Sequence, residues 1–121
     1  MAETIRDFRD LVVWQKAIAL AKEVYRLTRG FPGDERFGLT IQVRRAVVSV
    51  SSNIAEGHAR QGREFGSYLS IARGSLAEVE SQLLLAVELG YLRSLDLTVI
   101  LDLAAEIRRM CVSLARKVSQ A

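Results

Sequence analysis

The sequence predicts an all-α fold, an up-down-up-down antiparallel four-helix bundle. Three observations lead there. Apolar residues recur in alternating steps of three and four, not two. Breakers cluster at three places only, residues 30–34, 57–62 and 90–94. The four segments between them are of similar length, and short connections between similar rods favour antiparallel neighbours. The chain has 121 residues, half of them apolar, with one proline and one cysteine. That is a single domain over residues 1–121 without a disulfide framework.

The first helix is expected over residues 11–29, with Asp10 as its N-cap. Trp14, Ala17, Ala21, Val24, Thr28 and Phe31 form its apolar seam. The second is expected over residues 35–57, capped by Asp34. Leu39, Val43, Val47 (or Ala46), Val50 and Ile54 share one face. The third is the cleanest, over residues 63–89: Phe65, Leu69, Ala72, Leu76, Val79, Leu83 and Ala86. Gly90 stands where a left-handed C-cap belongs, and Tyr91 or Leu92 folds back on the last turn. The fourth is expected over residues 95–119. Leu97, Ile100, Ala104, Ile107, Cys111, Leu114 and Val118 form a heptad seam, which makes Cys111 a small core residue.

Further apolar residues fall outside these seams. Leu11, Ile18 and Tyr25 repeat every seven residues, as do Ile41, Val48 and Ala55; Val99, Leu103 and Met110 add a stripe on the fourth segment. Either the core face is broad, or a second face is covered by another subunit. Gly66, Ser70 and Gly74, followed by Ala77 and Ser81, make a stripe of small residues that admits another helix closely. Together these features favour a homo-oligomer.

Charge is modest, +3 overall, with 14 Arg and 3 Lys among the 17 basic residues. It is segregated. Residues 64–90 carry a net −3, and the three other quarters +2 each. Ion pairs are therefore expected between Arg44 or Arg45 and Glu78 or Glu80, within the bundle or across subunits. Basic groups gather where both termini and the second turn of the bundle meet. Arg60, Arg63, Arg108, Arg109, Arg116 and Lys117 are the candidate nucleic-acid contacts, beside Arg6, Arg9 and His58. A repeated patch of this kind binds phosphates without reading bases. No aromatic RNA-recognition pattern or recognition-helix turn is visible.

Catalytic templates are missing. A single histidine, no Glu-x-x-His, no His/Cys cluster and no phosphate-binding glycine loop leave neither a metal site nor a cofactor site to predict. Glu78 and Glu80 are two residues apart and point apart on a helix. The expectation is a protein without enzymatic activity. The polar stretch at residues 49–57 admits a local reading, with Ser and Asn bonding nearby backbone, and a network reading, with Asn53 bonding a neighbouring helix and Glu56 holding Arg60 or Arg63. An active site there would need Asn53 and Glu56 to line an open pocket. The first ten residues carry three acids and two arginines and no apolar core. No apolar run exceeds five residues, the length of residues 83–87. Neither a signal peptide nor a membrane span is expected, and a cytoplasmic location is.

Specific words in this sequence also resemble a known family. Leu11-Val-Val-Trp-Gln-Lys-Ala17, Phe31-Pro32, the Ser-Asn-Ile-Ala-Glu-Gly ending at Gly57, Phe65, Ala72-Arg-Gly-Ser-Leu-Ala-Glu78 with Glu80 and Gln82, and Leu89-Gly-Tyr-Leu92 look like the bacterial four-helix-bundle family encoded by intervening sequences of large-subunit ribosomal RNA genes. The resemblance covers about residues 8–118. It implies a ring of bundles, a homopentamer. It also implies a relation to accessory proteins of diversity-generating retroelements, which bind nucleic acid and a reverse transcriptase; the charge here is milder than theirs. Asn53, Glu56, Gly57, Glu78 and Glu80 match the family motif, which assigns them no catalytic role. They are treated as structural or interface positions. The competing expectation is an oligomeric scaffold for protein partners, without nucleic acid.

Overall fold

The computed structural model describes residues 4–120. Four helices follow one another: α1 (Val12–Thr28), α2 (Leu39–Arg60), α3 (Gly62–Glu88) and α4 (Thr98–Ser119). At 1.5 Å per residue they are about 25 to 40 Å long. α1 packs against α2 and α4, and α3 packs against α2 and α4. The chain is therefore a four-helix bundle, and no strand occurs among the described residues. No described helix is long and apolar enough to cross a membrane.

The predicted seams of α2 and α3 are buried residue for residue. So is that of α4 through Cys111, while Leu114 and Val118 are half-buried at its open end. α1 departs by one position. Val13 and Leu20 fill the core where Trp14 and Ala21 were expected. Trp14 instead lies at the edge of the core, edge-on to Phe8 with ring centroids 5.1 Å apart. The smaller Val13 fits the interior and the larger indole covers the end.

The helix starts also differ from expectation. Asp10 does not cap α1. Its carboxylate turns back and accepts the backbone N–H groups of Arg6 and Asp7 at 2.8 and 3.2 Å. α2 begins four residues later than predicted because Asp34 and Glu35 belong to a 3-10 turn. Glu35, not Asp34, accepts the Leu39 backbone N–H, at 3.1 Å. The Tyr91 hydroxyl donates to the other Glu35 oxygen at 2.8 Å, tying the two loops at that end together. These hydrogen bonds, that from Tyr91 foremost, hold Glu35 below the usual carboxylate range. Gly90 has φ +82° and ends α3 as expected. The Tyr91 and Gly90 N–H groups then bond the carbonyls of Ala86 and Val87 at 2.9 and 3.0 Å.

The turn from α2 to α3 is tighter than predicted. α2 runs through Gly57 to Arg60, and only Gln61 separates it from α3. Gln61 has φ 64° and ψ 175°, a region that suits glycine and costs other residues about 1–3 kcal/mol. Gln61→Gly should therefore raise the unfolding free energy by about 1 kcal/mol, read as a higher midpoint in urea at unchanged slope.

Cys111 is fully buried, and desolvation pushes its thiol up to about 11. At pH 8 its reaction with a thiol reagent should be about a hundredfold slower or more in the folded chain than in urea. Rapid labelling without denaturant would show that the α4 seam opens.

Candidate functional site

The polar segment of α2 forms a chain of hydrogen bonds. The Asn53 amide nitrogen donates to the Ser49 carbonyl and hydroxyl at 2.8 and 2.9 Å. The Ser49 hydroxyl meets the Ser75 hydroxyl of α3 at 2.8 Å. The local reading holds for Asn53, which bonds its own helix; the link to the next helix is made by Ser49, not by Asn53 as the network reading had it. Glu56 faces elsewhere. It accepts from Arg60 at 3.4 Å and from the Tyr68 hydroxyl at 3.3 Å. Asn53 is half-buried and Glu56 exposed, each with partners of its own. His58 lies in the last turn of α2, edge-on to Phe65 at 5.8 Å between ring centroids. The described residues contain no group of three His, Cys, Asp or Glu placed to hold a metal ion.

Within the bundle, the predicted pairing of Arg44 and Arg45 with Glu78 and Glu80 does not occur. Arg44 turns to α1, where it donates to the Thr28 hydroxyl at 2.9 Å and lies over the Tyr25 ring at 4.5 Å. Glu80 is held by Arg108 of α4 instead. Arg45 and Glu78 line one shallow groove with Ser49, Ser75 and Gln82, beyond ion-pair distance of each other. The reason is rotation. Ser49 opposite Ser75 sets Arg44 and Arg45 level with Glu80 and Val79, but Arg44 is turned towards α1 and Glu80 towards α4.

The candidate cations divide into two groups. Arg60 is committed to Glu64 at 3.1 Å and Glu56 at 3.4 Å. Arg108 is committed to Glu80. Arg9 is likewise held by Asp7, and its side-chain hydrogen bond keeps that carboxyl at about 2. By contrast, Arg63, Arg109, Arg116 and Lys117 have no carboxylate within ion-pair distance among the described residues. All four are exposed. Arg109 and Arg116 are seven residues apart and share one face of α4. Gly66 lies against Val118, a Cβ there standing 3.9 Å from its methyl, so the first turn of α3 flanks the last turns of α4. Arg109 and Lys117 also border an open groove of about 500 Å³ floored by Leu11, Val12, Met110 and Leu114.

Of the small stripe, Gly66 meets α4, while Ser70 and Gly74 face outward. Sequence reasoning missed the Ser49–Ser75 link, the Glu35–Tyr91 bond and the ion pair between Lys16 and Glu106 at 2.9 Å. Each joins residues on separate elements whose facing depends on helix rotation, so no local spacing signals them.

The fold and the motifs point to the same relatives. A crystal structure of a protein with unknown function from the S23 ribosomal protein family of Bacteroides thetaiotaomicron superposes with a TM-score of 0.77 at 25% identity. The match covers 86% of this chain and 98% of the other. No curated protein matches this sequence. The family model of the 23S rRNA-intervening sequence protein matches residues 9–113. With nearly the whole bundle inside that match, the chain belongs to the 23S rRNA-intervening sequence protein family.

Proposed function

We propose that this chain is a non-enzymatic, homo-oligomeric helical-bundle protein whose repeated basic end engages RNA or DNA without sequence preference. One observation carries the nucleic-acid reading. Arg63, Arg116 and Lys117 stand exposed at the end that holds the α2–α3 turn and Arg109 at the middle of α4, all without carboxylate partners among the described residues. Four cations on one subunit bind phosphate weakly, and a ring of subunits multiplies them. Five copies, as in the ring implied by the motif resemblance, would present twenty. Guanidinium groups suit phosphate through their forked donors. Self-association is supported by Val48, Ile71, Leu84 and Leu85, which are about half exposed on the outside of a single bundle.

The test is a gel-shift titration with single-stranded and duplex probes across salt, beside a light-scattering mass. Binding should weaken steeply as salt rises. Arg109→Ala, Arg116→Ala and Lys117→Ala should each reduce the slope of log affinity against log salt by about 0.9 for every phosphate left without its cation. Absence of binding at low salt would leave the oligomeric scaffold for protein partners as the reading. A reverse transcriptase is the partner class to test by co-purification with the assembled protein.

A further inference from the structure

Two outer faces of this bundle differ in kind. The first spans α1 and α2. Ile18, Tyr25, Ile41 and Val48 floor two grooves that meet at Tyr25. Lys22, Arg29, Arg44 and Arg45 line the same grooves. None of these four has a carboxylate within ion-pair distance among the described residues. The one acid in the grooves, Glu23, is taken by Arg26 at 2.6 Å. The face is thus apolar at its floor and cationic around it.

The second is the solvent side of α3, opposite its buried stripe. Ile71, Leu84 and Leu85 are 51%, 50% and 48% exposed there. Small residues lie between them, and nothing in the chain comes within 4 Å of a Cβ placed on Gly74. A glycine in the open middle of a helix costs about 1 kcal/mol against Ala, so this face keeps its flatness at a loss to its own helix. Of the charges bordering it, the acids Glu78 and Glu88 are exposed and unpaired among the described residues, and one cation, Arg73, stands exposed at its edge.

We infer that the apolar, cationic face of α1 and α2 receives the apolar, anionic outer face of α3 from a second copy of this chain. The inference rests on the self-association proposed above and names the surfaces that mate. Charge selects the occupant. The grooves lack free acids and hold several cations without acidic partners, while α3 is the acidic rod of the bundle. Each face also offers apolar side chains that a lone copy leaves half in water. The two faces are different surfaces of one chain, so the contact is head-to-tail and each copy uses both. Such contacts close into a ring when the rotation per subunit allows it.

The experiment uses two full-length variants and their mixture, with mass read by light scattering. Val48→Asp places a charge in the groove. Gly74→Leu with Leu85→Asp blocks the α3 face. Val48 and Leu85 are about half exposed and the space at Gly74 is open, so helical content by circular dichroism should stay at the wild-type level. Each variant alone should run as a single chain of 13.5 kDa, with association weakened about a hundredfold or more. An equimolar mixture should form a two-chain species, because one intact groove then meets one intact α3 face. If the wild type assembles and either variant still assembles, or the mixture yields no two-chain species, this pairing of faces is overturned while self-association stands. A wild type that runs as a single chain overturns both.

Discussion

Leu76→Ala should lower the stability of the folded chain by about 2–5 kcal/mol. Leu76 is 0% exposed in the middle of α3, on the face that packs into the bundle. Truncation removes most of a buried side chain and leaves a cavity. Long rods held by side contacts cannot close that cavity without moving a whole helix. For a chain of this length the loss corresponds to a thermal midpoint lower by about 8–20 °C. Calorimetry or a circular dichroism melt checks it. A loss below 1 kcal/mol would mean that the centre of the bundle is loosely packed. Leu84→Ala on the outside of the same helix is the control, since Leu84 is half exposed.

Gly57→Ala should be destabilising although it replaces glycine inside a helix. Propensity alone favours the substitution by about 1 kcal/mol. Packing opposes it. A Cβ on Gly57 would stand 2.7 Å from the Tyr68 Cβ and 2.9 Å from the Phe65 Cδ1. The Tyr68 Cβ is fixed to the backbone of α3, so the two helices must separate. Overpacking of this kind costs about 1–3 kcal/mol, which exceeds the propensity gain over most of its range. Gly57→Val adds more bulk at the same point and should cost more. Urea unfolding measures both. A neutral or stabilising Gly57→Ala would show that α2 and α3 part easily near their turn.

Much of the core was legible in the sequence. The stripes of α2, α3 and α4 were read correctly because each helix buries the side chains that its own period brings to one face. In α1 two neighbouring stripes of apolar residues compete, Val13 and Leu20 against Trp14 and Ala21. Period alone cannot rank them. Residue size and the position of Phe8 decide that the indole lies at the edge. Gly57 looked like a helix terminator because glycine commonly ends helices. It proved to be a contact point inside α2, and its neighbour across the interface is eleven residues away in sequence. Two successive residues of positive φ, Gln61 and Gly62, make the turn.

The candidate site was legible only as a composition. The sequence pointed to six cations, and four of them stand unpaired among the described residues. Arg60 and Arg108 are taken by Glu64, Glu56 and Glu80. The Arg60–Glu56 pair was among the expected alternatives, and the Arg60–Glu64 pair follows helical spacing across the short turn. The Arg108–Glu80 pair was not, because it depends on which way α4 is rotated against α3.

Fold class, helix number and most of the buried stripes are thus properties of the sequence by itself. They arise from periodicity, and periodicity acts within one helix over a few residues. The meeting of Arg44 with Tyr25, of Ser49 with Ser75 and of Arg108 with Glu80 belongs to the tertiary structure. A shift of one turn between rods keeps every apolar stripe in the core, since each stripe repeats at nearly that interval. It changes every polar partner, since those side chains occur once. Register and rotation are therefore settled by close packing at points such as Gly57 against Tyr68, and the charges left free on the outer faces follow from that packing.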